Sequence, residues 1–335
     1  MRRFTAILLM AALVFALVGG PGLVAQQKNV VVANKNFTEQ YVMGELMTQL
    51  LEARGFNVEQ ASDLSSQTMR AGMEAGDMDV AADYTGTAWA VYLGFEYFPG
   101  LTNTGLYYAV KGADSPKGFT WLNPMWNNNT YALAAWPEFC NNPGEYVDNL
   151  PDSIELPVNT MTELAALYNA NDGRIDTFID FEFSARPDGL PALQDHYGFQ
   201  VADASLSTGA PGASLNALAN NQVDIAMVFG TDAAIAENDW VVFTDDQSFF
   251  PPYDLTPYVR KNVLDEYPEI EAILNELVST FACGGQFPND PTTLGECVAG
   301  AQTAWQQLNA RVDIDKLEPE DAAREYLLEH GLIEE

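Results

Sequence analysis

The sequence predicts an α/β protein with two α/β regions. Short apolar runs alternate with helical patterns between residues 30 and 83, and the same alternation returns between residues 131 and 228. Buried parallel strands are short apolar runs separated by helices, so each region predicts a parallel sheet. The length of 335 residues suits two domains of about 150 residues each.

In the first region three strands alternate with two helices. The predicted elements are, in order, strand 30–33, a helix from about residue 37, strand 58–61, helix 66–75 and strand 80–83. Asn36 is expected to cap the first helix, with Glu39 three residues later as its reciprocal partner, and Gly55 is expected to end it.

The second region repeats this order after residue 130. The predicted elements are strand 131–136, helix 162–169, strand 175–179, helix 190–196, strand 199–202, helix 214–219 and strand 223–228. Residues 137–159 contain many Asn, Pro and Gly and predict a loop. From about Pro251 the chain is predicted to be mostly helical, with a last helix that starts at Pro319 and ends at Gly331.

The chain is strongly acidic. It has 47 Asp and Glu against 15 Lys and Arg, for a formal net charge of −32, while 47% of its residues are hydrophobic. The hydrophobic fraction is sufficient for a packed core. Phosphate groups are bound by clustered Lys and Arg, so no nucleic acid partner is expected, and an anionic membrane surface is disfavoured for the same reason.

Residues 1–25 have the pattern of a secretory signal peptide. Arg2 and Arg3 precede thirteen apolar residues, 6–18, which are followed by small residues. Thirteen residues are too few to span a bilayer comfortably as a helix, although an uncleaved N-terminal anchor is the alternative. The segment contains no cysteine, so no lipid anchor is expected. The sequence therefore predicts an exported protein, periplasmic or otherwise extracytoplasmic, cleaved near Ala25.

The cysteine and histidine content limits the chemistry. Among the three cysteines, Cys283 and Cys297 are a candidate disulfide, since export means oxidising conditions and a Gly- and Pro-rich segment separates them; Cys140 is left over. His196 and His330 are the only histidines, and no CxxC, HExxH, GxSxG or phosphate-binding loop motif is present. We predict no metal site and no cofactor.

Two segments of the chain correspond to each other. In residues 73–87 and 217–232, a helix end leads through a turn to an apolar–Asp–apolar step, and an aromatic residue lies five positions after that aspartate: Tyr84 and Phe229. Ligands of open α/β sheets bind outside the carboxyl ends of the strands. Two facing sheets would therefore bring both aromatic residues to one cleft. Chance similarity of two helix–turn–strand units is the alternative.

A set of polar and aromatic residues stands out at predicted strand ends and turns. Its members are Lys35, Tyr84, Thr87, Tyr131, Arg186 and Tyr253. Lys35 lies at a strand-to-helix turn, where backbone N–H groups and a cation can hold an anion together. The alternatives are a surface charge for Lys35 and a core position for each tyrosine.

These residues lie in segments that resemble a known family. The segments KNFTEQ, DYTGT, NNTYAL, RPDGLPALQDHYGF, FGTD, FFPPYDLTPYVRK and YPEIEAIL, in this order, are similar to the substrate-binding protein of glycine betaine/choline-type osmoprotectant ABC transporters. The resemblance runs from about Val30 to Ile333. It implies a two-lobed periplasmic-binding-protein fold, type II-like, with two crossing segments and the ligand in the interlobe cleft. Lobe 1 would comprise residues 28–127 and 247–335, and lobe 2 residues 128–246.

The resemblance also implies a box of aromatic rings. Members of the family hold a quaternary ammonium between tyrosines, because a trimethylammonium group has no hydrogen-bond donor and is attracted by ring faces. Tyr84, Tyr131 and Tyr253 match box tyrosines, and the fourth position is Phe229, which keeps the ring but lacks the hydroxyl. Asn129 matches a position whose backbone carbonyl can face the cation.

For a betaine carboxylate, the resemblance implies contacts from Lys35, Thr87 and Arg186, while Asp232 is interpreted as structural. We expect the two cations to repel each other in the cleft unless an anion joins them. A betaine carboxylate supplies that anion and the hydroxyl of choline does not, so glycine betaine is the first expectation.

The expected function is that of a solute-binding protein, not an enzyme. It would deliver glycine betaine or a related quaternary ammonium compound to a membrane permease with its ATPase. Choline, carnitine or another betaine, such as histidine betaine, is the alternative ligand. An enzyme on a similar scaffold is disfavoured because no nucleophile–base pair can be named, and a sensor module is a further alternative.

Overall fold

The computed structural model describes residues 27–288 and 290–334, so the predicted signal peptide lies outside the described residues. The described strands form two five-stranded sheets. The first sheet contains β1 (Lys28–Lys35), β2 (Phe56–Leu64), β3 (Val80–Tyr84), β4 (Phe119–Trp121) and β10 (Leu255–Arg260). The second contains β5 (Tyr131–Ala135), β6 (Thr177–Asp180), β7 (Leu206–Gly209), β8 (Ile225–Phe229) and β9 (Val241–Val242).

Helices surround both sheets. They are α1 (Thr38–Ala53), α2 (Ser66–Ala75), α3 (Thr85–Thr87), α4 (Asn103–Asp114), α5 (Pro137–Asn141), α6 (Met161–Ala170), α7 (Leu190–Tyr197), α8 (Ala213–Ala219), α9 (Ala233–Glu237), α10 (Lys261–Glu266), α11 (Glu269–Val278), α12 (Pro291–Asp313) and α13 (Pro319–Glu329). A π-helical turn, Ala88–Tyr92, follows α3. Within the described ranges, no helix is long and apolar enough to cross a membrane.

The two sheets have the same topology. Their strand orders are β2-β1-β3-β10-β4 and β7-β6-β8-β5-β9. The predicted parallel arrangement holds for β1, β2 and β3 and, in the second sheet, for β6, β7 and β8. Each sheet is mixed, however, because β10 runs antiparallel to β3 and β4, and β5 runs antiparallel to β8 and β9. These two strands directly follow the segments in which the chain passes from one sheet to the other, and they enter their new sheets from the opposite end.

The two crossing segments lie side by side. The chain leaves the first sheet after β4, enters the second at β5, and returns between β9 and β10. Asn128 and Asp254 form an antiparallel bridge between the segments, and the backbone N–H of Asn129 donates to the carbonyl of Tyr253 at 3.1 Å. The two-lobed α/β architecture is thus present. The lobe boundaries at 127/128 and 246/247 stay a prediction.

The two corresponding segments, residues 73–87 and 217–232, have equivalent structures. Asp79, before β3, accepts a hydrogen bond from the backbone N–H of Val31 at 2.9 Å. Asp224, before β8, accepts one from the N–H of Asp176 at 3.4 Å. Each aspartate therefore joins the start of the central strand to the neighbouring parallel strand of its sheet, which brings Tyr84 and Phe229 to equivalent positions.

One predicted strand is wrong. Residues 199–202 form no strand in the described chain, because Phe199 is buried against Tyr168 and the Ala202 N–H bonds the carbonyl of Gly173. The strand lies at 206–209 instead, where polar residues at a sheet edge give no apolar run. The region after Pro251 is mostly helical, as predicted, but it also contains β10. This central strand was not predicted because it contains Pro257, and proline is rare inside sheets.

The predicted cap of the first helix is also wrong. The helix begins at Thr38, and its N-cap is Phe37 in an extended conformation, with no side-chain capping bond among the described residues. Glu39 does not reach back to the N-cap backbone; its carboxylate turns inward instead. The next helix follows its prediction, since α2 spans Ser66–Ala75 and Ser65 accepts the N–H of Thr68.

The C-terminal helices link the two lobes. Helix α12 packs on α1 and on α9, and Asn309 donates to the carbonyl of Thr231 at 3.0 Å. A disulfide joins Cys283, which lies between α11 and α12, to Cys297 within α12, and Cys140 is free and buried in the described chain.

Candidate functional site

All eight predicted ligand-binding residues line one small cavity between the two sheets. They are Lys35, Tyr84, Thr87, Asn129, Tyr131, Arg186, Phe229 and Tyr253. The sequence did not indicate the other lining residues, which are Asn36, Phe37, Asp180, Glu182 and Pro211. The cavity lies at the carboxyl ends of β3, β6 and β8, as expected for open α/β sheets.

Strand ends position the aromatic residues. Tyr84 ends β3 and Phe229 ends β8, while Tyr131 begins β5 directly opposite Phe229 in the sheet register. Tyr253 lies in the second crossing segment, and its N–H donates to Oδ1 of Asn128 at 2.8 Å. Strands and paired segments therefore fix the backbone that carries each ring within its own part of the molecule.

The position of Tyr253 depends on a glycine. A Cβ atom at Gly86 would lie 2.8 Å from the ring of Tyr253 and 2.9 Å from the carbonyl of Pro252. The glycine of the DYTGT segment therefore lets the second crossing segment pass directly over α3.

The rings form one connected cluster. Ring centroids are 5.0 Å apart for Tyr131 and Phe229, and 6.0 Å apart for Tyr131 and Tyr253. Phe37 joins the two lobes, with its centroid 4.9 Å from Phe229 and 6.3 Å from Tyr84. The sequence analysis missed Phe37, although its place directly after the carboxyl end of β1 was a signal.

Arg186 is the centre of a buried polar cluster. Its Nε and Nη2 donate to the two carboxylate oxygens of Asp188 at 2.8 and 2.7 Å, and Nη2 also donates to the Thr87 hydroxyl at 3.1 Å. Its Nη1 donates to the Tyr131 hydroxyl at 3.4 Å and lies 3.5 Å from Glu182. Burial alone would raise the pKa of Asp188, but the guanidinium outweighs it and holds that pKa below its ordinary value.

Lys35 is paired as well. Its Nζ lies 2.7 Å from Oδ1 of Asp83 and donates to the Ser66 hydroxyl at 3.3 Å. The expectation that only a ligand anion could join the two cations is therefore wrong, since Asp83 pairs Lys35 and Asp188 pairs Arg186. Short-range sequence patterns do not show the first pair, whose members are 48 positions apart.

Each of these cations also lies against the ring of a predicted box tyrosine. Nζ of Lys35 is 4.6 Å from the ring centroid of Tyr84, and the guanidinium carbon of Arg186 is 4.9 Å from that of Tyr131. Both distances are within the range of cation–π attraction, about 6 Å. The predicted clamp and the predicted box are thus parts of one packed unit.

Three carboxyl groups at the site were not identified from the sequence. Asp180 and Glu182 line the cavity from the end of β6, and burial raises the pKa of Asp180 to about 6. Glu39 lies behind Tyr84 and accepts its hydroxyl at 2.7 Å. Burial raises the pKa of Glu39 to about 7, against the opposing effect of surrounding hydrogen bonds. The cavity lining therefore carries two carboxyl groups, Asp180 and Glu182, beside the two cations, and Glu39 adds a third acid behind Tyr84.

Asn129 and Asp232, the remaining predicted residues, hold neighbouring parts of the site in place. Asn129 accepts the hydroxyl of Thr231 at 2.8 Å and donates to the hydroxyl of Tyr84 at 3.2 Å. Asp232 accepts the backbone N–H of Phe229 at 2.7 Å, in keeping with a structural role. In the described part of the chain, no group of three or more His, Cys, Asp or Glu is arranged to hold a metal ion.

Two sheets of the same topology, two crossing segments and an aromatic cavity between them define a two-lobed solute-binding protein. The sequence comparisons agree. The chain belongs to the family described as the substrate binding domain of ABC-type glycine betaine transport systems, whose model matches residues 28–282. It is therefore a substrate-binding component of an ABC transporter, a non-enzymatic role.

Its relatives include binding proteins for several ligands. The chain is 31% identical to the glycine-betaine-binding protein of Pseudomonas aeruginosa, over 93% of this chain and 91% of that protein. It is 29% identical to the ergothioneine transport permease/ergothioneine binding protein EgtU of Helicobacter pylori, over 92% of this chain and 48% of that protein, so it spans about half the length of that relative. Among solved structures, this chain resembles apo YehZ from Escherichia coli with 25% identity and a TM-score of 0.56; the match covers 92% of this chain and 100% of YehZ.

Proposed function

We propose that this protein binds glycine betaine or a related quaternary ammonium compound in the cavity between its lobes. The aromatic rings of Tyr84, Tyr131, Phe229 and Tyr253 would surround the methylated ammonium group. Arg186 and Thr87 would contact a ligand carboxylate. The bound compound would then pass to a membrane permease driven by its ATPase.

The observation that carries this proposal is the cluster of rings contributed by both lobes. An ammonium group without N–H donors gains little from hydrogen-bond acceptors, but it is attracted by ring faces and by nearby carboxylates. The cavity offers both, since the rings line it together with Asp180 and Glu182. The glycine-betaine-binding relative supports the same ligand class.

The carboxylate contact rests on Arg186 more than on Lys35. Nζ of Lys35 is already engaged by Asp83, Ser66 and the Tyr84 ring. Nη1 of Arg186 has two N–H groups and only long contacts in the described chain, with the Tyr131 hydroxyl at 3.4 Å and the Glu182 carboxylate at 3.5 Å. It is therefore the donor with capacity for a ligand carboxylate.

Choline, carnitine and larger betaines such as histidine betaine are the alternative ligands. Both cations of the site have protein carboxylates as partners, so a ligand without a carboxylate would leave no cation unpaired. The name of the ergothioneine-binding relative is consistent with a betaine that carries a larger side group. The structure therefore supports quaternary ammonium compounds as the ligand class more strongly than it supports any one of these compounds.

Isothermal titration calorimetry tests the proposal with glycine betaine, carnitine, histidine betaine and choline. Alanine at Tyr84, Tyr131 or Tyr253 is expected to cost on the order of 1–2 kcal/mol of binding free energy each, the range for a desolvated cation over a ring. Tyr131→Phe is the matched control for Tyr131→Ala, because it keeps the ring. Unchanged affinity in all three alanine variants would contradict the proposed pocket.

We also propose that the protein is exported, with residues 1–25 removed as a signal peptide. The basic start and short apolar stretch support this, and so does the role of a solute receptor for a permease. N-terminal sequencing of the protein from the cell envelope would test it, with a new terminus near Gln26 as the expected result.

A further inference from the structure

Glu39 is a buried acid that the predicted site does not use. It is 1% exposed, and Oε1 accepts the Tyr84 hydroxyl at 2.7 Å. The side-chain amides of Asn129 and Asn127 donate to the same oxygen at 3.2 and 3.4 Å. Oε2 is buried and has no hydrogen-bond partner among the described residues.

The hydrogen bonds of Glu39 join three parts of the molecule. Asn127 and Asn129 belong to the first crossing segment, and Tyr84 is a ring of the ligand cavity. Asn129 in turn accepts the N–H and hydroxyl of Thr231, whose carbonyl accepts the amide of Asn309 on α12. Glu39 therefore lies where the ring, the crossing segment and the long C-terminal helix meet.

The hydroxyl of Tyr84 transmits the charge state of Glu39 to the ring. A phenol that donates to a carboxylate carries more electron density in its ring than one that donates to a neutral carboxyl group. A ring with more electron density attracts a cation more strongly through its quadrupole. Hydrogen bonds with an ionised partner are also the stronger ones, so ionisation of Glu39 fixes the ring more firmly.

We propose that Glu39 is a positioning and tuning residue of the cation site: it fixes the Tyr84 ring and, when ionised, strengthens the attraction of that ring for a quaternary ammonium group. The proposal rests on the proposed function. By linkage, a bound cation favours the ionised acid, so binding releases a proton and tightens as pH rises through the titration of Glu39. The pKa of about 7 places this change between pH 6 and 8.

Other charged groups near Glu39 affect the same measurement. They are Lys35 on β1, Asp83 and Tyr84 on β3, Asp232 before α9, and Asp313 at the end of α12. Lys35 stabilises the ionised form of Glu39, whereas the carboxyl group of Asp232, whose own pKa is raised to about 8 by burial, opposes it. Burial also raises the pKa of Asp180, in the cavity itself, to about 6.

The experiment compares wild type with Glu39→Gln, which keeps an acceptor for Tyr84 but cannot ionise. Calorimetry with tetramethylammonium and with glycine betaine is run at pH 6, 7 and 8. A shift of one pKa unit on binding corresponds to about tenfold in affinity across the titration. We expect wild-type affinity to rise several-fold toward pH 8 and the rise to be clearly smaller in the variant, in which Asp180 and Asp232 still change charge. Asp232→Asn is the control and should retain the rise, because Asp232 bonds the Phe229 backbone and does not line the cavity.

A second measurement needs no ligand. In protein with ¹³C-labelled tyrosine, the ring signal of Tyr84, assigned by its loss in Tyr84→Phe, is expected to shift with a midpoint near pH 7 in wild type and not in Glu39→Gln. A pH profile that is the same in both proteins overturns the role of Glu39. If no quaternary ammonium compound binds wild type, the proposed function fails, while the Tyr84 signal still decides whether Glu39 controls the ring.

Discussion

Phe37 and Phe229 stack across the cleft, with ring centroids 4.9 Å apart and an interplanar angle of 22°. Phe37 precedes α1 in the first lobe, and Phe229 ends the central strand of the second sheet. Phe37 also stacks on Tyr84, so it joins the ring of one lobe to the ring of the other. The aromatic site is therefore complete only when the two lobes are closed.

The first prediction concerns Phe37. Phe37→Leu keeps an apolar side chain but removes the ring, and we expect about a 2- to 30-fold loss of affinity for glycine betaine, in line with about 0.5–2 kcal/mol for a cation–ring contact. The matched control is Phe95→Leu, since Phe95 is 46% exposed and packs on Trp89 outside the cavity. Equal affinities of Phe37→Leu and wild type in calorimetry would show that Phe37 is only a packing residue.

Tyr84 and Phe229 could be located from the sequence because the two halves of the chain share one local pattern. Tyr84 and Phe229 each follow an aspartate by five residues, because both units are the same helix–turn–strand structure. The sequence analysis did not place Phe37 and Glu39 at the site. Both lie at the start of a helix, where the local pattern is explained equally well by helix capping. Only the tertiary contact with Tyr84 shows their second role.

Ion pairing could be predicted only in part. Asp188 is two residues from Arg186 in the RPDG segment, so that pair was within reach of local reasoning. The turn also requires glycine after Asp188, since a Cβ at Gly189 would lie 2.1 Å from the carbonyl oxygen of Phe183. The pair of Lys35 and Asp83 depends on β1 lying beside β3, and a sheet neighbour is not visible in the local sequence.

A second prediction follows from Asp232, whose pKa burial raises from 3.8 to about 8. Between those values the folded protein holds a proton that the unfolded chain has lost, so this group makes stability fall as pH rises from about 4 to about 8. Asp232→Asn does not titrate and can still accept the Phe229 N–H. Relative to wild type, the variant should gain on the order of 5 kcal/mol between pH 4 and pH 8, since the shift is about four pKa units and each unit is about 1.4 kcal/mol. Urea unfolding at pH 4 to 8 measures this, and parallel curves would contradict it.

A third prediction concerns the cysteines. The bond between Cys283 and Cys297 spans 14 positions, and a loop of that size stabilises a folded chain by about 3 kcal/mol. Burial raises the pKa of the Cys140 thiol to about 12, so it should not react while the protein is folded. Iodoacetamide at pH 8 should label no cysteine in the native protein, one after denaturation and three after reduction. Three labels before reduction would exclude the disulfide.

The last prediction tests how the site distinguishes a betaine from choline. Arg186 has one nitrogen, Nη1, with capacity for a ligand carboxylate, while Nε and Nη2 hold Asp188. Removing Arg186 alone would leave a buried carboxylate unpaired, at about 3–5 kcal/mol. We therefore choose the double variant Arg186→Gln/Asp188→Asn, which replaces the ion pair with a neutral hydrogen-bonded pair.

A ligand at 100 times its dissociation constant adds about 2.7 kcal/mol to stability, so thermal shifts report binding. In wild type, glycine betaine and carnitine should raise the melting temperature more than choline, and glycine, which lacks methyl groups, should not raise it. In the double variant the advantage of the betaines over choline should disappear, while choline still binds through the rings. A wild-type shift that is larger for choline than for every betaine would show that Arg186 serves the structure and not the ligand.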